Sequence, residues 1–248
     1  MAAADAAARI SREYFHGNFS VTIKEDRTPV TQADVECEEA IREIILGAFP
    51  DHGFYGEETG RTGEGADHLW LVDPIDGTKS FVRQYPFFST QIALMRDGEL
   101  VLGVSAGTMF GETAAGLRGR GAWLNGKPLA VSDIGDIGDA TISTGNLKSL
   151  AGGPGWDVLG DMIRESSRIR GYGDFYHYHL LAAGKIDVVI ESDVNILDIA
   201  ALAVIVEAAG GRFTDLTGRP PGLDTTSVLA ANPALHAQCL ARLEGVVD

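Results

Sequence analysis

Two aspartates three residues apart close an apolar run in Trp70-Leu71-Val72-Asp73-Pro74-Ile75-Asp76-Gly77-Thr78. Pro74 has no N–H to donate and halts a strand ladder, and Gly77 permits a tight turn after it. Ligands of open α/β sheets bind beyond the carboxyl ends of strands, so Asp73 and Asp76 stand where chemistry is expected. Asx turns at a strand exit would use the same residue types. Further acids share this context. Glu57 and Glu58 follow Gly56 at the end of another predicted strand, where a solvated turn is the plainer role, more so for Glu58. Asp198 opens an apolar helix, where an N-cap would serve, and Asp34 falls in the first turn of a predicted helix, where its charge suits the dipole. Gathered in one place, these acids would repel one another unless cations neutralised them. Oxygen-only ligands select hard cations, Mg2+ or Mn2+, over zinc.

Together the motifs resemble the inositol monophosphatase superfamily of Mg2+-dependent, lithium-sensitive phosphomonoesterases. Gly56-Glu57-Glu58, then Trp70-Leu71-Val72-Asp73-Pro74-Ile75-Asp76-Gly77-Thr78-Lys79-Ser80-Phe81, then Leu197-Asp198-Ile199-Ala200-Ala201 match its three hallmarks in order, and the resemblance spans 24–232. Leu197 departs from the usual Trp, which changes a packing residue and not a ligand. The resemblance implies an α-β-α-β-α sandwich. It makes Glu57, Asp73, Asp76 and Asp198 metal ligands, with the Ile75 carbonyl as another, for about two to three Mg2+ ions that Mn2+ can replace. Thr78 would join Glu57 in activating the attacking water, and the phosphate would rest on the amides of Gly77 and Thr78. Asp34, in Thr28-Pro29-Val30-Thr31-Gln32-Ala33-Asp34, matches a supporting acid. A homodimer is the assembly the resemblance implies.

The stretch Arg170-Gly171-Tyr172-Gly173-Asp174-Phe175-Tyr176 replaces the small-residue segment of inositol phosphatases and looks like the histidinol-phosphatase branch. Histidinol phosphate carries an ammonium and an imidazole with which Asp174 and Glu191 would pair, whereas an inositol ring offers neutral hydroxyls. Asp174 as a cap of the helix that follows has equal standing. Arg170 is assigned to the substrate, reached across a dimer interface. His177 and His179 lack the i, i+4 spacing of a metal pair and are expected to pack or to face solvent. Hydrolysis of histidinol phosphate in histidine biosynthesis is therefore the expected activity. The alternatives are an inositol-1-phosphatase or broad sugar-phosphate phosphatase, and more remotely a non-catalytic phosphate-binding regulator.

The elements that must position these residues read as two connected halves, 1–132 and 133–248, the first carrying most metal ligands. Helices are expected over 2–15 and from Thr31, where Thr-Gln-Ala-Asp makes a capping-box start. Strands are expected at 54–57 and 69–72. Hairpins are expected at 91–104 around Arg96-Asp97-Gly98-Glu99, and at 121–131 around Asn125-Gly126. The second half alternates strands near Thr141, Ile169, 186–191 and 227–231 with helices from Trp156, Phe175, Asp198 and Pro233.

Composition narrows the partners. Among 248 residues, 35 acidic side chains face 20 basic ones, a net charge of −15 that argues against nucleic acid and anionic membrane as partners. A small phosphorylated metabolite is the expected substrate. Two cysteines, Cys37 and Cys239, exclude a disulfide framework and read as reduced, buried thiols, neither of them a nucleophile. The Ala-rich start has no basic and apolar signal pattern, and a cytoplasmic location is expected.

Overall fold

The computed structural model describes residues 1–17, 21–23, 29–63 and 65–245. Lys24 and Thr28, at the start of the resemblance, lie outside them. The chain opens with α1 (Ala2–His16), the short strands β1 (Val21–Ile23) and β2 (Pro29–Thr31), and α2 (Gln32–Ala48). A run of strands follows: β3 (Gly53–Gly56), β4 (Gly60–Thr62), β5 (His68–Asp76), the one-turn helix α3 (Thr78–Val82), β6 (Ser89–Arg96) and β7 (Glu99–Gly107). The run ends with β8 (Glu112–Leu117), β9 (Gly121–Leu124) and β10 (Lys127–Pro128). The remainder alternates: β11 (Thr141–Thr144), α4 (Lys148–Ala151), α5 (Gly155–Glu165), β12 (Arg168–Arg170), α6 (Asp174–Ala182) and β13 (Val188–Ser192). Last come α7 (Ile196–Ala208), β14 (Arg212–Thr214), β15 (Ser227–Ala231) and α8 (Pro233–Leu243).

Local signals act where the residues place them. Thr31 caps α2: its Oγ1 accepts from the Ala33 amide at 3.2 Å, and Asp34 Oδ2 accepts from the Thr31 amide at 2.7 Å. Asp97 and Gly98, with φ of 52° and 81°, turn β6 into β7, and Asn125 and Gly126, with φ of 48° and 78°, turn β9 into β10. Left-handed values at both central residues match the twist of a hairpin. The expected strand to Val131 stops at Pro128, which has no N–H for the ladder. Beyond it the Val131 amide turns to the Ala209 carbonyl, 3.0 Å away at the end of α7.

The two main sheets have eight strands, in the order β10-β9-β8-β7-β6-β5-β3-β4, and five, in the order β12-β11-β13-β15-β14. The larger is antiparallel except where β3 runs parallel to β5. Alternation along β5 serves two cores. Trp70 and Val72 join Ala3, Ala7, Cys37 and Ile41 of α1 and α2, while Leu69 and Leu71 join α6 and α7 on the opposite face. In the smaller sheet, Val189 and Val228 meet α6 and α7, whereas Ile190 and Leu229 face Leu150, Leu159 and Leu235 of α4, α5 and α8. The five layers α-β-α-β-α follow. Helix α7 occupies the middle layer and is apolar all round, as a helix buried on every side must be. Cys37 and Cys239 are free and buried. No helix among the described residues is long and apolar enough to cross a membrane.

Helix α7 lies unusually close to the larger sheet. A Cβ on Gly103 would fall 2.2 Å from the Ala201 carbonyl oxygen, and one on Gly116, its partner across β7 and β8, 2.7 Å from the Ile205 Cα. Gly103→Ala should therefore push α7 outward and destabilise the fold by about 1–3 kcal/mol. Gly47→Ala, with no atom within 4 Å of the added Cβ, should leave stability unchanged or raise it. Denaturant unfolding of both variants checks the contrast.

Candidate metal centre and active site

In a regular strand, residues three apart point to opposite faces. Asp73 and Asp76 nevertheless converge, because β5 carries a bulge between them. Asp73 pairs with Gln91 and Asp76 with Ser89, three steps on β5 against two on β6. Pro74 sits in that bulge, and its carbonyl accepts from Thr90 Oγ1 at 2.9 Å. Gly77 then takes φ 87°, where a Cβ would lie 2.6 Å from the Phe87 carbonyl oxygen. This left-handed turn starts α3 and brings Thr78 Oγ1 within 3.0 Å of the Ile75 carbonyl and 3.4 Å of Asp34 Oδ1.

Ligand atoms of Asp73, Asp76 and Asp198 all lie within 4.8 Å of one another. Asp198 arrives from the start of α7. It does not take the plainer role of N-cap: Asn195 is the cap, and Asp198 is the reciprocal third residue of the capping box. Its Oδ2 accepts from the Asn195 amide at 3.1 Å and its Oδ1 from Asn195 Nδ2 at 2.7 Å. Glu57 follows β3, whose parallel pairing with β5 sets its amide 3.2 Å from the Val72 carbonyl. Its charge acts on Asp34, Asp73 and Asp198 alike. Asp34 is buried, with Oδ2 also accepting from Thr31 Oγ1 at 2.6 Å. Sequence reasoning missed Glu38. Fully buried, it accepts from the Glu58 and Thr59 amides, both at 2.8 Å, and so clamps the loop that carries Glu57. An acid on the same face of α2 as Cys37 and Ile41 was the available signal.

A second group of acids lies behind Asp76, whose carboxyl feels the charges of both Asp174 and Glu191. Asp174 does not cap α6. Gly173 is the N-cap, and Asp174 is the first helical residue, at φ 44°. Among the described residues no hydrogen-bond donor reaches its carboxylate. Glu191, on β13, is buried and well supplied: Tyr178 Oη donates to Oε2 at 2.5 Å, His177 Nε2 lies 3.2 Å from Oε2, and the Asn146 amide donates to Oε1 at 3.3 Å. His177 and His179 are both buried, packed from α6 against polar partners. Arg170 stands exposed on β12, donating to the Ile169 carbonyl at 2.7 Å, and its charge is not among those acting on Asp76 or Asp174.

The profile of the inositol monophosphatase family matches residues 1–247. The chain belongs to the inositol monophosphatase family. It is 35% identical over 241 residues to a histidinol-phosphatase of Chlorobaculum parvum, an alignment covering 97% of this chain and 93% of that protein. It is also 35% identical over 224 residues to an inositol-1-monophosphatase of Caulobacter vibrioides, covering 86% of each. Among solved structures, the extragenic suppressor protein suhB of Bartonella henselae superposes with a TM-score of 0.89 at 31% identity, over 98% of this chain and 96% of that one. This member of the family is thus a phosphatase, a hydrolase of phosphate monoesters, and metal dependence is typical of its relatives.

The donor set of this phosphatase fits a hard cation. Burial holds Asp73 and Asp76 well above the usual carboxylate range. Glu57 adds to the shift of Asp73, and Asp198 and Asp174 to that of Asp76. Burial, with the charge of Glu57, pushes Asp198 up to about 6 against the bonds from Asn195. Among the described residues no ion pair reaches Asp73, Asp76 or Asp198. Asp73 Oδ1 is buried with no hydrogen-bond partner among the described residues, an oxygen that a cation would suit.

These shifts set a pH dependence. Folded Asp73 and Asp76 hold protons more tightly than the unfolded chain does, where an aspartate titrates near about 3.9. The metal-free fold is therefore favoured at low pH and loses stability as pH rises above about 4. Calorimetry of chelator-treated protein should show the melting temperature falling from about pH 5 to about pH 8. Asp73→Asn should flatten that fall and melt higher than wild type at the upper end. A metal-free wild type whose melting temperature stayed level across this range would contradict the buried-charge account.

Proposed function

We propose that this phosphatase hydrolyses histidinol phosphate to histidinol and inorganic phosphate, a step of histidine biosynthesis. The observation that carries this reading is the carboxylate of Asp174, close enough to Asp76 for their charges to interact and engaged by no donor among the described residues. Burial and the charge of Glu191 push its pKa up to about 6, so a cationic partner would be strongly favoured there. A non-glycine residue held at φ 44° adds local strain, which proteins keep mainly at functional positions. Tyr172 and Tyr176, two residues to either side, belong to a cluster of rings with Phe87 and Phe110 whose faces suit an imidazole. Relatives that bear the histidinol-phosphatase name support the same substrate. Relatives named for inositol phosphate support the second reading, an inositol-1-phosphatase or sugar-phosphate phosphatase with the same metal centre.

In this reading Glu57, Asp73, Asp76 and Asp198, with the Ile75 carbonyl, hold Mg2+, and Mn2+ can substitute. When bound, the metal supplies Lewis-acid stabilisation of phosphoryl charge and acidifies water. The single Thr78 hydrogen is shared between the Ile75 carbonyl at 3.0 Å and Asp34 Oδ1 at 3.4 Å, which leaves its oxygen free to accept a hydrogen bond from the attacking water. Glu57 offers the second acceptor, and the two fix the direction of a water lone pair. The amides of Gly77 and Thr78 receive the phosphate, and Asp34 steadies Thr78. Asp174 takes the substrate ammonium directly. Glu191, already engaged by Tyr178, His177 and Asn146, adds its charge from behind. Arg170 contributes only if the homodimer expected of the family covers the exposed edge at β12.

Chelation should abolish turnover and Mg2+ restore it. Specificity is the sharper test, with histidinol phosphate and inositol 1-phosphate compared at saturating Mg2+. Asp174→Asn should cost about 10- to 150-fold in kcat/KM for histidinol phosphate, the range for one hydrogen bond to a charged group. A small aryl phosphate, which lacks the cationic groups, should be hydrolysed as before. Equal losses on both substrates, or a wild-type preference for inositol 1-phosphate, would reject the histidinol reading.

A further inference from the structure

Behind Asp76 a row of buried polar side chains crosses the larger sheet and takes no part in the steps above. Ser89 Oγ donates to Asp76 Oδ2 at 3.1 Å. Gln91 Nε2 donates to Ser89 Oγ at 2.8 Å and to Ser105 Oγ at 3.1 Å. Ser105 Oγ lies 2.9 Å from His179 Nε2, and His179 Nδ1 lies 3.3 Å from Glu112 Oε2. The register explains the reach: Ser89 pairs with Asp76 across β5 and β6, and Gln91 with Ser105 across β6 and β7. Ser89, Gln91 and Ser105 are 0% exposed and His179 1%, so the row is closed to solvent between its half-buried ends, Asp76 and Glu112.

Counting protons gives the row a direction. The bond from His179 holds Glu112 below the usual carboxylate range, and burial lowers the pKa of His179, which is therefore neutral. Nδ1 then carries the hydrogen toward Glu112, and Nε2 accepts from the Ser105 hydroxyl. Ser105 has spent its only hydrogen and accepts from Gln91. The second N–H of Gln91 goes to Ser89, whose single hydrogen is thereby committed to Asp76. Gln91 Oε1 is buried with no hydrogen-bond partner among the described residues. Its amide earns its place through the two N–H groups alone.

We propose that Gln91 is a positioning residue for Asp76: by donating to Ser89 and Ser105 at once, it fixes the Ser89 hydroxyl on Asp76 Oδ2, leaves Oδ1 for the cation, and ties that carboxylate through His179 to α6. Because α6 begins at Asp174, the metal side and the substrate side of the site share one support. The inference rests on the reading of Asp76 as a metal ligand.

The test is Mn2+ binding without substrate, followed by the electron paramagnetic resonance of the free ion, on the full chain. Outer partners of metal ligands typically affect affinity by about 10- to 100-fold. Ser89→Ala and Gln91→Leu should each weaken Mn2+ binding within that range. The double variant should be no weaker than the poorer single one, because both changes cut the same chain. Ser105→Ala removes one oxygen and leaves the amide in place; it should weaken binding by at least about 3-fold, and it decides the matter if Gln91→Leu does not fold. Wild-type Mn2+ affinity in Gln91→Leu, or in Ser105→Ala where that is the variant in hand, overturns the proposal, as does a double variant whose loss is the product of the singles. Asp76→Asn separates the two levels. Unchanged binding there removes Asp76 as a ligand, whereas a loss there with intact binding in Gln91→Leu removes Gln91 alone.

Discussion

Desolvated carboxylates crowd into one small volume where β5 and β3 end and α7 begins, and no basic side chain among the described residues pairs with Asp73, Asp76 or Asp198. Like charges at such separations raise one another's proton affinity, and burial raises it further. The arrangement works against folding when no cation is bound, so it persists only because the surrounding elements leave the acids little freedom. Asp73 and Asp76 are held by a strand bulge, Asp198 by a capping box, and Glu57 by a loop that Glu38 clamps. Each device is local and stiff. Together they gather oxygen atoms suited to a divalent ion, one of them, Asp73 Oδ1, with no hydrogen-bond partner among the described residues.

Packing transmits that constraint through the molecule. Asp198 sits at the start of α7, so its distance from Asp73 depends on how closely the helix approaches the larger sheet. Gly103 and Gly116 set that approach, since any side chain there would collide with the backbone of α7. On the other side of the site, α6 presents Asp174 at its start. Through His177 and Tyr178 it reaches Glu191, and through His179 it reaches Ser105. In the proposed reading, the metal ligand Asp198 is carried by α7 and the substrate-side acid Asp174 by α6, two helices that pack together in one buried layer.

Features governed by adjacent residues were legible in the sequence. Asn125-Gly126 and Asp97-Gly98 turn hairpins as their side chains require, and Thr31 and Asp34 form the expected capping box. The carboxylate motifs pointed to acids that the fold does gather, Asp73, Asp76 and Asp198 among them, and the layered architecture followed from the family they mark, not from periodicity alone. The helix expected from Asp198 begins at Ile196, and the cap is Asn195, with Asp198 its reciprocal partner, a pairing that the structure alone reveals. Asp174 takes φ 44° and caps nothing, a conformation its neighbours do not announce. Strand β8 escaped notice because, Thr113 apart, Glu112–Leu117 holds none of the β-branched and aromatic residues that favour strands. Glu38 and Gln91 were silent because their partners are distant along the chain and become neighbours only after folding: the Thr59 amide for one, the Ser105 hydroxyl for the other.

The central claim is that Asp73, Asp76 and Asp198 converge in order to hold a divalent cation. Crystals soaked in Mn2+ and measured at the manganese absorption edge test it most directly. The account predicts an anomalous difference peak within coordination distance of all three carboxylates. Ordered density for the three side chains with no peak between them, in crystals that bind Mn2+ elsewhere, would contradict it.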